Sequence, residues 1–348
     1  MGDEESMGKG ICVAGNMIVD ILYPTMGWPK QGQLVHILDG ISRATGGAVC
    51  NVIIDLAKLD PKMPLYAMGK IGKDAEGDLI MERLGDYENI DTGNVIQDGI
   101  SAFTLVLADT VSKERTFFTY LGANGRFDES DINWDGLDCS ILHIGYILLL
   151  NALDQEDPEY GSRMARLLHS AQQHGIKTSI DVVSEASDRF SRLVPPALKY
   201  TDYCIINEIE ASQTTGIPLR DENDRLIYDN LPLALKRMKE MGVSTWAVIH
   251  SPEGGFGLDE NDHYIALDSL HLPKGYIKGS VGAGDAFCAG ALLAAYRGLP
   301  VAQALRFGNA AAVQSLRADT SCGAVVSMEE CLAHYDALPY RRSGAQKE

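Results

Sequence analysis

Short unbroken apolar blocks alternate along this chain with longer segments in which apolar positions recur at helical spacing. Residues 11–15 (ICVAG) form the first such block, the signature of a strand covered on both faces. Residues 16–23 continue it with a single charge, Asp20. Residues 34–41 alternate loosely between apolar and polar positions and predict a half-exposed strand. Gly46 and Gly47 then open a helix through Asn51, Ile54 and Leu59. Residues 102–108 and 115–121 predict two strands joined by a polar turn over 109–114.

Beyond about residue 140 the rhythm becomes strand–helix–strand. Compact apolar segments at 141–145, 177–181, 203–206 and 245–249 are separated by helical stretches near 162–173, 208–215 and 233–241. Such alternation predicts an α/β fold of three layers, a mostly parallel sheet with helices on both faces, whose ligands collect at the carboxyl ends of the strands. The two early half-exposed strand regions break that rhythm. They predict a small β lid, formed from about 21–45 and 100–123, that covers a site. No repeat or low-complexity linker interrupts the pattern, so residues 8–340 are expected to form a single domain, with 1–7 and 341–348 as disordered tails.

The formal net charge of -18, from 48 acidic and 30 basic residues, argues against nucleic acid and anionic membrane surfaces as partners. It also means that an anionic ligand such as ATP needs local help from backbone amides or Mg²⁺. The seven cysteines are scattered and odd in number, with no C-x-x-C pair, as expected of reduced thiols in a cytoplasmic protein. No apolar run is long and clean enough to span a bilayer, and no basic-then-apolar signal segment opens the chain. Met1 to Ser6 formally fits a myristoylation pattern, but two acidic neighbours and no basic patch favour a plain acidic tail.

The stretch from Lys278 to Phe287 (KGSVGAGDAF) carries the sharpest chemistry. Gly282, Ala283 and Gly284 offer almost no side chain, so a phosphate can approach the backbone, and the alanine-rich run behind them predicts a helix closed by Arg297 and Gly298. A helix start presents free N–H groups and the positive end of the dipole. Asp285 in that first turn would repel phosphate, which suggests that it has chemistry to do, taking the proton of an attacking hydroxyl. Its alternative role is a cap or dipole partner. Other motifs follow strands or open helices: Asp20 in GNMIVD, Gly46-Gly47 with Asn51 a turn further on, the 69–77 segment (GKIGKDAEG), Asn207 and Glu210 in N-E-I-E, and Ser251-Pro-Glu-Gly254-Gly255.

In this order and spacing, from about Gly10 to about Tyr335, the chain resembles the ribokinase-like (PfkB) family of carbohydrate kinases. The resemblance implies that Asp285 is the catalytic base and the Gly282–Gly284 backbone the anion hole for the transferring phosphoryl group. It implies that Asn207 and Glu210, the family's N-x-x-E pair, help hold Mg²⁺ through water near the phosphates; a helix cap with a solvated Glu is the alternative. Asp20, Gly46, Gly47 and Asn51 match positions that grip substrate hydroxyls, against local roles as a turn carboxylate and an internal helix cap. Asn124, in the turn after Tyr120, is expected to add a substrate contact. Phe103, Phe117 and Phe118 are expected either to line an apolar wall or to belong to the core. Ser251, Gly254 and Gly255 correspond to the nucleotide side, and Asn309 to an adenine-side contact or a buried Asn between helices.

Two departures matter. Gly279 stands where many members carry the Asp of a monovalent-cation loop, which puts potassium activation in question. Gly46-Gly-Ala-Val lacks the Lys of Gly-Gly-Lys-Gly versions, which favours a neutral over a phosphorylated acceptor. The implied function is ATP-dependent phosphorylation of a primary hydroxyl on a neutral pentose or ketohexose. The rivals are a nucleoside kinase, suggested by the 115–122 segment, and a non-catalytic sugar-binding regulator. A homodimer through exposed lid edges is a further expectation.

Overall fold

The computed structural model describes residues 9–112, 114–183 and 189–340. The tails expected at 1–7 and 341–348 lie outside the described residues. In chain order, β1 (Gly10–Gly15) is followed closely by β2 (Ile18–Thr25), and β3 (Ser42–Gly46) runs straight into α1 (Gly47–Leu59). Next come β4 (Leu65–Ile71), α2 (Ala75–Gly85), β5 (Ile90–Gln97), β6 (Ala102–Asp109), β7 (Arg115–Tyr120) and β8 (Cys139–Ile147). A two-stranded ribbon of β9 (Glu156–Asp157) and β10 (Gly161–Ser162) precedes α3 (Arg163–Gln173). The alternation then continues through β11 (Lys177–Val182), α4 (Phe190–Leu198), β12 (Tyr203–Asn207), α5 (Glu208–Thr215), α6 (Leu231–Met241) and β13 (Trp246–Ser251). The chain closes with β14 (Gly254–Leu258), β15 (Tyr264–Asp268), α7 (Ala283–Tyr296), α8 (Val301–Ser315) and α9 (Met328–Asp336).

Among the described residues, a nine-stranded sheet runs in the order β15-β14-β13-β12-β11-β8-β1-β4-β5, with β14 alone running against the other strands. Alternate residues of its strands feed two separate cores. Ile11, Val13 and Ile205 point toward α1, α2 and α7 to α9, whereas Cys12, Ala14, Cys204 and Ile206 point toward α3 to α6. Covering on both faces explains why the central strands read as unbroken apolar blocks. The fold is therefore the expected α/β sandwich of three layers.

A second, four-stranded sheet in the order β3-β2-β6-β7 forms the lid, with β2 and β6 parallel and the outer pairs antiparallel. Its location differs from expectation in one respect. Residues 34–41 form no strand apart from an isolated bridge between Ile37 and Thr25, and the third lid strand is instead Ser42–Gly46. That edge strand carries no apolar alternation and is held by pairing with β2, so the hydrophobic pattern could not announce it. Phe117 and Phe118 are not core: they stand 61% and 53% exposed on the edge strand β7.

α7 lies close against α8 because Gly290 has no Cβ. A methyl group there would sit 2.5 Å from the Phe307 carbonyl oxygen and 2.8 Å from the Gly308 nitrogen. Backbone atoms in two packed helices cannot give way independently, so Gly290→Ala should destabilise the protein by about 1–3 kcal/mol. Thermal unfolding of the variant, read as a lowered Tm, tests this; an unchanged Tm would mean that the helices shift apart freely.

Candidate active site

The ends of the parallel strands place the site. Asn16, Tyr146, Asp181, Asn207 and Ser251 all lie at the carboxyl ends of strands of the main sheet, where open α/β sheets collect ligands. Over them stands the head of α7. Gly282 takes the left-handed conformation there (φ 80°), which costs glycine little. A Cβ on it would lie 2.7 Å from Ser321, so this turn also packs directly on the 320–323 loop. The Ala283 N–H donates to the Ser280 carbonyl at 3.3 Å. The amides of Gly284 and Asp285 lie in the first turn, where no intrahelical acceptor exists and the dipole adds positive potential.

Asp285 is 5% exposed. The Asn51 side-chain amide donates to its Oδ2 at 2.8 Å, and the Tyr146 hydroxyl donates to its two oxygens at 2.9 and 3.0 Å. Burial pushes its pKa up to about 6, against the opposing pull of the Asn51 and Tyr146 hydrogen bonds. Its partners are thus distant side chains rather than the local amides of a simple cap. Tyr146 is itself held in an uncommon conformation, with φ at 60° just before the end of β8.

Around Asp285 lies a chamber of about 240 Å³ lined by Tyr146, Asp181, Asn207, Glu210 and His250. It meets a cleft of about 420 Å³ at Asn207, His250 and Gly284. The cleft is walled by Leu272, Ile277, Phe287, Val313 and Leu316, with Ser251 and Asn309 as polar points. Among the described residues, neither lining contains a Lys or Arg. Asp181 is pushed well above the usual carboxylate range, first by burial and then by the charges of Glu210 and Asp285. His250 stacks on Phe287 (centroids 4.9 Å apart) and is kept neutral by burial, which lowers its pKa to about 4.

Asn207 and Glu210 form a reciprocal cap on α5. The Ile209 and Glu210 amides donate to Asn207 Oδ1 at 2.9 Å, and the Asn207 N–H donates to Glu210 Oε2 at 3.0 Å. The capping role and a place in the chamber therefore coexist. Gly254 and Gly255 do not line the cleft. Gly255 instead gives room to Phe287, 3.1 Å from where its Cβ would be, and so shapes the wall from behind.

On the lid side, Asp20 lies opposite Ala44, and the missing Cβ of Gly46 would be 2.6 Å from Asp20 Oδ2. Gly47 is left-handed (φ 83°) and leaves space for Asn16, whose Oδ1 would be 2.5 Å from a Cβ. Asn16 Oδ1 is buried without a hydrogen-bond donor. Asn51 donates one of its two amide N–H groups to Asp285, while one expectation changes. Asn124 is fully buried, accepting from the Met17 N–H at 3.3 Å and donating to the Met17 carbonyl at 2.7 Å. Asn124 thus fixes the short link between β1 and β2 rather than facing a ligand.

Sequence reasoning missed Asn16, Tyr146, Asp181, His250 and Arg220. Arg220, 13% exposed, donates to Glu208 at 2.6 and 3.0 Å and to Glu253 at 2.7 and 2.9 Å. Glu208 lines the cleft, and Glu253 follows Ser251 and Pro252, which also line it. The guanidinium therefore ties the start of α5 to the β13–β14 turn beside the cleft.

The pfkB family carbohydrate kinase pattern matches residues 9–325, nearly the whole chain. The chain belongs to the PfkB family of carbohydrate kinases. It is 24% identical over 323 residues to a ribokinase of Arabidopsis thaliana, a match spanning 92% of this chain and 78% of that one. It is also 24% identical over 254 residues to an uncharacterized sugar kinase of Archaeoglobus fulgidus, spanning 72% and 90%. In fold it is similar to Arabidopsis thaliana ribokinase solved with ribose and ATP (TM-score 0.77, 21% identity, 94% and 98% of the two chains). The nucleoside kinase of Methanocaldococcus jannaschii shares the fold as well (TM-score 0.70, 16% identity, 94% and 98%). Membership makes this PfkB protein a phosphotransferase with an alcohol group as acceptor. Among the described residues, no helix is long and apolar enough to cross a membrane.

Removing the cation between Glu208 and Glu253 should loosen that tie. Arg220→Ala is expected to raise KM for ATP about tenfold, equivalent to about 1.4 kcal/mol, with kcat within about twofold. Arg220→Lys should recover part of the loss. Equal KM values for wild type and Arg220→Ala in steady-state kinetics would remove this role.

Proposed function

We propose that this protein transfers the γ-phosphoryl group of ATP to a primary hydroxyl of a neutral monosaccharide, a pentose or ketohexose. The observation that carries the reading is the position of Asp285: a single desolvated carboxylate on an amide-bearing helix start, where two cavities meet. The acceptor hydroxyl gives its proton to Asp285 as its oxygen forms a bond to the γ-phosphorus; the bond from that phosphorus to the bridging oxygen breaks, and ADP leaves. Amides of the Gly282–Gly284 turn face the charge that spreads over the phosphoryl oxygens. Asn51 and Tyr146 keep the carboxylate aimed.

With no Lys or Arg among the described residues of either lining, the phosphate charge has to be met by amides and a divalent cation. The donor set fits Mg²⁺. Asn207, Glu210 and Asp181 offer hard oxygens; burial and, after it, repulsion from Glu210 and Asp285 raise Asp181, and a cation would relieve that repulsion. Among the described residues no three acidic, His or Cys side chains form a cage, which suits an ion shared with substrate phosphates and water. When bound, Mg²⁺ would neutralise charge on the transferring group. A Cβ at Gly279 would come within 2.9 Å of the Ala318 carbonyl oxygen, so the position has no room for an acidic side chain, and activity independent of potassium is expected.

A polyol is favoured as acceptor by the lid face that carries Asp20. Strand register puts Asp20, Ala44, Thr104 and Thr119 in one row, the two threonine hydroxyls 3.1 Å apart. Asp20 has no hydrogen-bond donor among the described residues, and burial raises its pKa to about 6. Such a row suits hydroxyls better than the flat face of a nucleobase. The exposed Phe117 and Phe118 on β7 offer an edge through which two copies could pair as a homodimer.

ADP release with Mg²⁺-ATP, measured across ribose, fructose, adenosine and inosine with and without potassium, tests the reading. Turnover of a sugar supports it; turnover of nucleosides alone assigns the nucleoside rival, and sugar-dependent stabilisation without turnover assigns the binding-only one. Asp285→Asn should reduce kcat by about 10²–10⁴ or more while leaving the fold intact. Because the base must be ionised, kcat/KM should fall as pH drops through about 6. Tyr146→Phe removes a bond that lowers this pKa, so the acid limb should move to higher pH. A limb that stays in place would detach Tyr146 from the base.

A further inference from the structure

A third cavity, of about 230 Å³, lies on the opposite side of β3 from Asp20. Because strand side chains alternate, Arg43 and Thr45 face away from the row of Asp20 and Ala44. Arg43 and Thr45 border this cavity from the lid, Arg83 from α2, and Thr320, Ser321 and Cys322 from the loop behind the head of α7. Ile54 and Leu79 supply its apolar part. In a chain with 48 acidic residues, its lining among the described residues holds two arginines, three hydroxyls and no carboxylate. Arg43 pairs with partly exposed Glu76 (3.6 Å), and Arg83 with exposed Asp86 (2.9 Å) and, 5.6 Å from its centroid, the Tyr87 ring; all three partners lie outside the lining. Exposed pairs of this kind contribute little and give way readily to a stronger anion.

We infer that this cavity binds a small phosphate-bearing metabolite, held by the Arg43 and Arg83 guanidinium groups and the hydroxyls of Thr45, Thr320 and Ser321. Guanidinium pairs match phosphate oxygens bidentately, and the volume suits a compact anion rather than a nucleotide. The occupant would bridge the lid strand β3 to the body of the protein. It would also be felt at the catalytic centre. Ser321 packs on Gly282, and the Cys322 thiol contacts the Asn51 carbonyl at 3.5 Å and its side-chain oxygen at 3.7 Å, while Asn51 bonds Asp285. Holding the lid edge and the 320–323 loop together is expected to lower KM for the acceptor. That kinetic consequence rests on the kinase reading; binding does not.

Thermal shift and titration calorimetry with inorganic phosphate and with glucose 6-phosphate, against chloride at matched ionic strength, read the site directly. Phosphate also has access to the catalytic cleft, so three proteins are compared: wild type, Asp285→Asn, and the double variant Arg43→Gln/Arg83→Gln. The expected result is a saturable rise in Tm for the first two that is lost in the double variant, whose basal turnover without added phosphate stays within about twofold of wild type. Response to the sugar phosphate alone would identify an organic phosphate as occupant and still support the site. An equal response in the double variant, or no response of the wild type to either probe, overturns it.

Discussion

Stripping water from the Asp285 carboxylate is the constraint around which the site is arranged. An ionised carboxylate loses several kcal/mol of solvation in such a place unless donors replace the water. Here the replacements are the Asn51 amide and the Tyr146 hydroxyl, and the balance leaves a pKa of about 6. Each donor needs its own support. Asn51 sits in α1, a helix buried along nearly its whole length, and α1 starts where it does because Gly47 makes room for Asn16. Tyr146 reaches the carboxylate only because the chain turns left-handed as β8 ends. The alanine-rich α7 and its glycine contact with α8 bring the helix head down onto the sheet, which closes the chamber.

The same acidity that sets the chain's charge shapes how it handles phosphate. Among the described residues, arginine and lysine are missing from the linings of the chamber and the cleft, and three carboxylates, Asp181, Glu210 and Asp285, crowd the chamber. Amides at a helix start cannot swing away or lose a proton, so they supply a fixed potential without competing for the Asp285 carboxylate. A lysine in their place would pair with Asp285 and lower the very pKa that burial raises. Arg220 obeys the same division: it spends its donors on Glu208, which lines the cleft, and on Glu253.

Much of this was legible in the sequence where local chemistry and position coincide. The Gly-Ala-Gly-Asp run before an alanine-rich helix marked the head of α7, the spacing of Asn207 and Glu210 marked a cap, and unbroken apolar blocks marked the buried parallel strands. Legibility failed where a residue's role is set by a distant partner. Tyr146 reads as one more apolar position in a core strand, and nothing near it says that its hydroxyl meets Asp285, 139 residues away. Asn124 follows an exposed strand and looked accessible, but tertiary packing turns its amide inward onto Met17. The strand Ser42–Gly46 has no hydrophobic period because it is an edge, stabilised by its partner β2 rather than by burial.

That edge strand also determines what lies on either side of it. Its pleat sends Ala44 and the bare Gly46 toward Asp20, and Arg43 and Thr45 toward α2 and the 320–323 loop. A slip of one residue would bring Arg43 against Asp20 and carry the glycine away, filling the acceptor side with a guanidinium. Three features pin the register. A side chain at Gly46 would collide with Asp20, β3 passes into α1 without a connecting residue, and Gly47 holds the left-handed turn that starts the helix. The paired glycines thus fix which face of β3 turns toward Asp20. It follows that a substitution at Gly46 would disturb the acceptor side and the arginine-lined cavity together, although no atom of Gly46 belongs to the lining of that cavity.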